Sequence, residues 1–200
     1  MTTKNDLSTS AAGSFRWLLA GYLGAAGFLV QERFLRKRGT ASSLNASPED
    51  RGTTRMLLTS IGLAYGLPLV LPRLLHASTM PPQAAGAGLV MQASGILLRI
   101  WSMRTLGSYY TRTLRTSRHQ HVIDSGPYRM IRHPGYTGAL LIWIGLALTT
   151  RNAPTIAVLA TLMGRSYLRR ITVEEALLQR ALPEYSHYSD RTKKLIPLIW

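Results

Sequence analysis

The chain has 200 residues, enough for one domain, of which 46% are hydrophobic and only 16% charged; it carries a net charge of +15 and no cysteine. The lack of cysteine excludes disulfides, thiol nucleophiles and thiolate metal sites. The Lys and Arg residues alternate with apolar runs instead of forming one stripe interleaved with aromatics, a pattern that argues against a nucleic-acid partner and for basic loops facing anionic lipid.

Met1–Ser14 is polar, with Lys4 and Asp6, and lacks the cationic start, apolar core and small-residue cleavage site of a signal peptide. It is expected to be a disordered tail over residues 1–14, followed by a retained anchor. Five apolar segments stand out: Phe15–Val30, Met56–Leu75, Ala84–Ile100, Tyr136–Leu148 and Ala153–Leu168. A straight crossing of a bilayer takes about 20 residues. The second segment meets that length, and the first and third come close. Pro68 and Pro72 are expected to kink or end the second. Gly86, Gly88, Ala93, Ser94 and Gly95 permit close helix approach in the third. Gly86-Ala87-Gly88 has neither the preceding strand nor the βαβ setting of a dinucleotide fingerprint. The fourth segment would reach only about 20 Å at about 1.5 Å per residue. It and the fifth, joined by Arg151-Asn152-Ala153-Pro154, read as a tight hairpin that does not fully cross. The fold class expected is an all-α integral membrane protein of about five transmembrane helices, the last two a hairpin, with helices one to three in residues 15–107.

Orientation follows from the basic residues. Gln31–Arg55 carries six, Arg99–Gly135 seven and Arg165–Trp200 seven, while Lys4, Arg16, Arg73 and Arg151 make up the other four of the 24. The positive-inside rule then sets the first three stretches in the cytosol. The N-terminus would lie outside and the C-terminus in the cytosol.

The polar residues with chemical promise fall on that cytosolic side. Gly126-Pro127-Tyr128 and Arg132-His133-Pro134-Gly135-Tyr136 stand at the mouth of the fourth segment, where ionisable groups are costly and tend to hold ligands. Pro134 suits a first helical turn, which places His133 near the cap and leaves backbone N–H groups for an anion, helped by Arg132. The plain alternative is that Arg132 and His133 only mark the membrane interface. Arg170 and Glu174 are four apart on a helix and share a face, as an ion pair or as two ligand contacts, and Glu175 points about 100° away. His119, Gln120 and His121 precede the Gly126 turn, but only Asp124 offers a nearby carboxylate, so no metal is expected. Tyr185, Tyr188 and Leu195-Ile196-Pro197 read as a tail packing back on the interface.

The stretch Gln120–Gly138 resembles the pattern His-x-Leu-Val-x-x-Gly-Pro-Tyr-x-x-x-Arg-His-Pro-x-Tyr-x-Gly of the isoprenylcysteine carboxyl methyltransferase family. Arg170, Glu174–Glu175, Tyr185, Tyr188 and Leu195-Ile196-Pro197 match the C-terminal region of that family in order, so the resemblance covers about Ser108–Pro197. It implies that residues 108–200 form the catalytic region, with a cytosolic cofactor-binding loop and a C-terminal helix, and that S-adenosyl-L-methionine is the methyl donor. Carried over by position, donor contacts fall on Gln120, His121, Val122, Ile123, Tyr128, His133, Pro134, Gly135, Tyr136 and Glu174. Arg170 takes the position that contacts substrate and is the candidate catalytic residue. The sequence departs from the pattern at Gln120, where the family has histidine.

The resemblance implies O-methylation of the carboxylate of a prenylated cysteine or a similar apolar acid. Partners would be a lipophilic small molecule or prenylated peptide, and membrane lipids. An ionised carboxylate needs no general base at neutral pH, so the absence of a nucleophile–base pair does not count against an enzyme. The superfamily also includes phospholipid N-methyltransferases, and a non-enzymatic membrane subunit is the third reading. Family members sit in the endoplasmic reticulum of eukaryotes or the plasma membrane of bacteria. The sequence does not fix the oligomeric state.

Overall fold

The computed structural model describes residues 4–34, 48–75, 79–110 and 121–197. They form six helices: α1 (Lys4–Phe34), α2 (Thr53–Leu74), α3 (Pro82–Leu106), α4 (Pro134–Thr149), α5 (Ala153–Ala181) and α6 (Tyr185–Arg191). Single 3₁₀ turns lie at Pro48–Asp50, Gly107–Tyr109 and Gly126–Arg129. Among the described residues there is no strand, only isolated bridges pairing Thr79 with Asn152 and Ile131 with Lys193.

Several boundaries differ from the sequence expectation. The first helix begins at Lys4, inside the segment expected to be a disordered tail and ahead of the Phe15 start of the apolar run. α2 continues through Pro68 and Pro72 and ends at Leu74. Each proline removes one backbone donor without stopping the helix, and Pro72 sits in its last turn. α4 has 16 residues, about 24 Å, because Pro134 and Gly135 open it ahead of Tyr136. The fifth helix is the largest departure: α5 runs 29 residues, well past the apolar limit at Leu168, so Arg170, Glu174 and Glu175 stand on one unbroken rod.

Two stretches, Thr53–Leu74 and Pro82–Tyr109, are long and apolar enough to cross a membrane, and only 17% and 28% of their apolar windows are buried. The core helix of a soluble protein would bury most of that surface. Here Leu63, Leu69, Val70, Val90 and Leu97 turn outward.

α4 is the hub. Ala139, Ile142, Trp143, Leu146 and Ala147 are fully buried, against Ala25 and Phe28 of α1, Ala64 of α2, and Leu159, Met163 and Tyr167 of α5. A helix apolar all round must be covered all round. Its closest partner is α3. A Cβ on Gly88 would lie 2.5 Å from the Gly145 carbonyl oxygen, and one on Gly138 would lie 2.6 Å from that of Gly95. Two glycines seven residues apart on each antiparallel helix therefore let the backbones touch, the small-residue packing that membrane helices use. Gly88 and Gly95 act as the sequence suggested, whereas Gly86 meets nothing within 4 Å.

Polar cross-links set the other helices in register. Ser60 and Ser166 join α2 to α5 at 2.7 Å. The Tyr65 hydroxyl donates to the Ala25 carbonyl at 2.9 Å, and the Tyr22 hydroxyl donates back to the Tyr65 carbonyl. Arg99, 2% exposed, donates to Glu32 at 2.6 Å and to Gln31 at 3.1 Å. It also reaches the Gly135 carbonyl at 3.1 Å, and its guanidinium lies 4.4 Å from the Phe28 ring centroid. One buried cation thus ties α1, α3 and the first turn of α4 together.

Candidate active site

The turn before α4 is built first. Gly126 opens it at φ 56, in the left-handed region that favours glycine, and a Cβ there would meet Thr105 Oγ1 at 3.0 Å. Pro127 and Tyr128 are buried in the short 3₁₀ turn that follows. The tail then straps the next residues down. The Arg132 amide donates to the Lys193 carbonyl at 2.7 Å and the His133 amide to the Lys194 carbonyl at 3.1 Å. Thr137 Oγ1 donates to the Leu195 carbonyl at 2.8 Å, and the Tyr188 hydroxyl to the Tyr128 carbonyl at 2.7 Å.

His133 caps α4 through its backbone, without a side-chain cap bond. The amides of Tyr136 and Thr137 both donate to its carbonyl at 3.0 Å. Those two donors are spent within the turn and do not serve the anion expected there. Arg132 is also committed: it donates to Glu175 at 2.8 Å, to the Ser189 carbonyl at 2.8 Å and to the Thr192 carbonyl. Through these bonds it locks α5 to the tail, and it also lines the cavity described below.

The two neighbouring carboxylates serve different clusters. Glu175 is bound by Arg132, by His133 Nε2 at 3.2 Å and by Lys194 at 3.5 Å. Burial pushes its pKa up, but the hydrogen bonds from His133 and Arg132 outweigh this and hold it at about 2. Glu174 accepts the Tyr136 hydroxyl at 2.6 Å. The Tyr136 ring stacks on His133 at 5.6 Å and 12°. Arg170 does not pair directly with Glu174 in the i,i+4 bridge. Its Nε donates to the Tyr136 hydroxyl at 3.3 Å, so the tyrosine stands between the two. Its Nη1 is buried against Asp50 at 2.8 Å.

A cavity of about 310 Å³ collects these groups, at the small end of the roughly 300–1,000 Å³ range of ligand sites. His121, Val122, Ile123, Tyr128, His133, Gly135, Tyr136, Arg170 and Glu174 all line it. Pro134 is buried behind them as the first residue of α4. Gln120 and His119 lie outside the described residues. The cavity also has an apolar arm that sequence reasoning missed, made by Phe28 and Leu29 of α1 and Leu57, Leu58 and Ile61 of α2. Leu29 and Leu58 are 53% and 48% exposed, so this arm adjoins the outer apolar surface. Asp50 and Arg99 were missed as well: one precedes α2 in a polar loop and the other looks like the end of an apolar run. Among the described residues, no group of three or more His, Asp or Glu side chains is placed to hold a metal ion.

The Tyr185 hydroxyl is buried, finds no partner among the described residues, and belongs to a residue on the cavity wall. An orphaned polar atom beside a cavity fits a bound polar ligand that completes it. Together with the Glu174 carboxylate and the Tyr128, Tyr136 and His133 rings, it makes a wall suited to a cationic, aromatic ligand.

Residues 88–180 match the family model for isoprenylcysteine carboxyl methyltransferases. A probable protein-S-isoprenylcysteine O-methyltransferase of Oryza sativa subsp. indica is 31% identical over 115 residues, 56% of this chain and 60% of that protein. Protein-S-isoprenylcysteine O-methyltransferase B of Arabidopsis thaliana is 28% identical over 115 residues, 56% of this chain and 58% of that protein. The cobalt-zinc-cadmium resistance protein CzcN of Cupriavidus metallidurans is 33% identical over 97 residues, 48% of this chain and 45% of that protein. The chain thus spans about three fifths of the plant relatives and under half of the bacterial one. The matched residues hold the close-packed α3–α4 pair, the Gly126–Tyr136 turn and the Arg170–Glu175 rod, so it is this part of the chain that is similar to the isoprenylcysteine carboxyl methyltransferase family.

Proposed function

We propose that the chain is an integral membrane O-methyltransferase that uses S-adenosylmethionine and methylates the carboxylate of a prenylated cysteine or a similar apolar acid. One observation carries this reading: a single cavity joins a polar end, at Tyr128, His133, Tyr136 and Glu174, to an apolar arm between α1 and α2 that adjoins the outer apolar surface. A donor with a charged, aromatic body suits the first, and a lipid tail suits the second.

When bound, the donor supplies a methyl group on a sulfonium, which passes to a carboxylate oxygen to leave a methyl ester and a neutral thioether. No proton moves, so the chain's task is positioning and exclusion of water. Tyr136 turns the Glu174 carboxylate toward the polar end, while Tyr128, His133 and Tyr185 complete that wall. Arg170 presents a fixed cation to orient the acceptor carboxylate. The low dielectric of a bilayer edge favours the collapse of opposite charges. About five spans are expected from the five apolar segments, and the distribution of Lys and Arg puts this cavity on the cytosolic side.

The test uses the purified chain in lipid nanodiscs with methyl-labelled donor and a panel of acceptors. The reading expects label on farnesylcysteine analogues as a base-labile ester. Label on a lipid amine, or on none of the panel, would overturn it.

A further inference from the structure

Asp50 lies outside the family-matched residues, in the turn that precedes α2, and is fully buried. Its carboxylate is served by four donors. Thr53 Oγ1 reaches Oδ1 at 3.0 Å, Thr54 Oγ1 at 2.8 Å and Arg170 Nη1 at 2.8 Å, while the Thr54 amide reaches Oδ2 at 2.9 Å. Burial alone would raise its pKa, but the Thr54 bonds and Arg170 hold it below the usual carboxylate range, so it stays charged. The same Arg170 nitrogen also donates to Thr53 Oγ1 at 3.1 Å and to Thr54 Oγ1 at 2.6 Å.

A guanidinium is planar, so fixing Nη1 on one side and Nε on the other fixes the whole group. Asp50 and its threonines hold the first point, 120 residues away in sequence, and Tyr136 holds the second. Nothing on α5 itself supplies the first restraint. We infer that Asp50, with Thr53, is a positioning residue: it sets the orientation of Arg170 on the cavity wall and thereby makes the segment before α2 part of the acceptor side of the site.

This rests on the methyltransferase reading, in which Arg170 meets the acceptor. If it holds, Asp50→Asn should lower kcat/KM for the acceptor by about tenfold, the equivalent of one charged hydrogen bond. Affinity for S-adenosylhomocysteine, measured by calorimetry, should stay within about twofold. Asp50→Asn in an Arg170→Lys background should add little, because coupled residues are not additive. Should Asp50→Asn fail to fold, Thr53→Val gives the same split in weaker form, rescued by Thr53→Ser. Unchanged acceptor kinetics in folded variants, an equal loss of S-adenosylhomocysteine affinity, or full additivity would each overturn the inference. A second readout is independent of turnover. In ¹⁵N-arginine-labelled protein, the Arg170 Nε–H signal, assigned by its loss in Arg170→Lys, should be sharp in the wild type and broadened in Asp50→Asn. A wild type that methylates nothing, but keeps this Asp50-dependent signal, sinks the functional reading and leaves the positioning intact.

Discussion

Replacing Glu175 by Gln tests how the tail, the turn before α4 and α5 are held as one unit. The carboxylate is bound by Arg132 at 2.8 Å, His133 at 3.2 Å and Lys194 at 3.5 Å, with its side chain 12% exposed. Its pKa falls from an ordinary 4.5 to about 2, which corresponds to at most about 3 kcal/mol of stability. Solvent screening near the open cavity brings the expected contribution to about 1.5 kcal/mol. For a chain of this size that is about 3–6 °C in melting temperature. A depressed folded-state pKa gives stability that is fully present above pH 4.5 and lost as pH falls toward 2. Thermal unfolding in detergent should therefore show wild type ahead of Glu175→Gln at neutral pH, with the gap closing between pH 4.5 and 2. Equal melting at pH 7, or a gap that persists at pH 2, would refute the assignment of these bonds.

Four further outcomes follow from the same geometry. Tyr185→Phe removes a hydroxyl with no partner among the described residues, so the unliganded melting temperature should hold, while stabilisation by S-adenosylhomocysteine should weaken by about 1 kcal/mol; an unchanged ligand shift would contradict it. Gly138→Ala should abolish accumulation of folded protein, because its Cβ meets the Gly95 carbonyl at 2.6 Å, whereas Gly62→Ala, with nothing within 4 Å, should melt within about 1 °C of wild type. Single cysteines placed at Arg129 and Arg151 of this cysteine-free chain should differ in reaction with an impermeant maleimide, Arg129 labelling from the cytosolic side and Arg151 not; labelling of both from the cytosolic side would refute the placement of Arg151 toward the other side. The rate of transfer to a carboxylate acceptor should be flat from pH 7 to 9, while a rise through a single pKa would point to an amine acceptor that must lose a proton.

The sequence makes the polar end of the site legible because its pieces are local or periodic. Gly126 signals a turn, Pro134 a helix start, and Arg170 with Glu174 one face of a rod; the side chains these features position, among them Tyr128, His133, Tyr136, Arg170 and Glu174, line one cavity. What could not be read depends on long-range partners. Arg170 and Glu174 are four apart, yet Tyr136 of another helix stands between them. Asp50 looks like a loop acid until α5 folds over it. Arg99 reads as the polar end of a span, although it is buried and gathers three elements around it. The pairing of Gly88 with Gly145 and of Gly95 with Gly138 shows only half its pattern in either helix alone. The length of α5 was underestimated because apolar content marks where a helix meets lipid and says nothing of where its backbone bonding stops.

The central claim is that two separate stretches, one before α4 and one at the end of α5, close on a single donor molecule. Hydrogen–deuterium exchange of the nanodisc-embedded chain, with and without S-adenosylhomocysteine, tests it most directly. The account predicts new protection in both 121–136 and 170–188 and none in 82–95. Protection confined to one of the two stretches, or absent from both at saturating ligand, would contradict it.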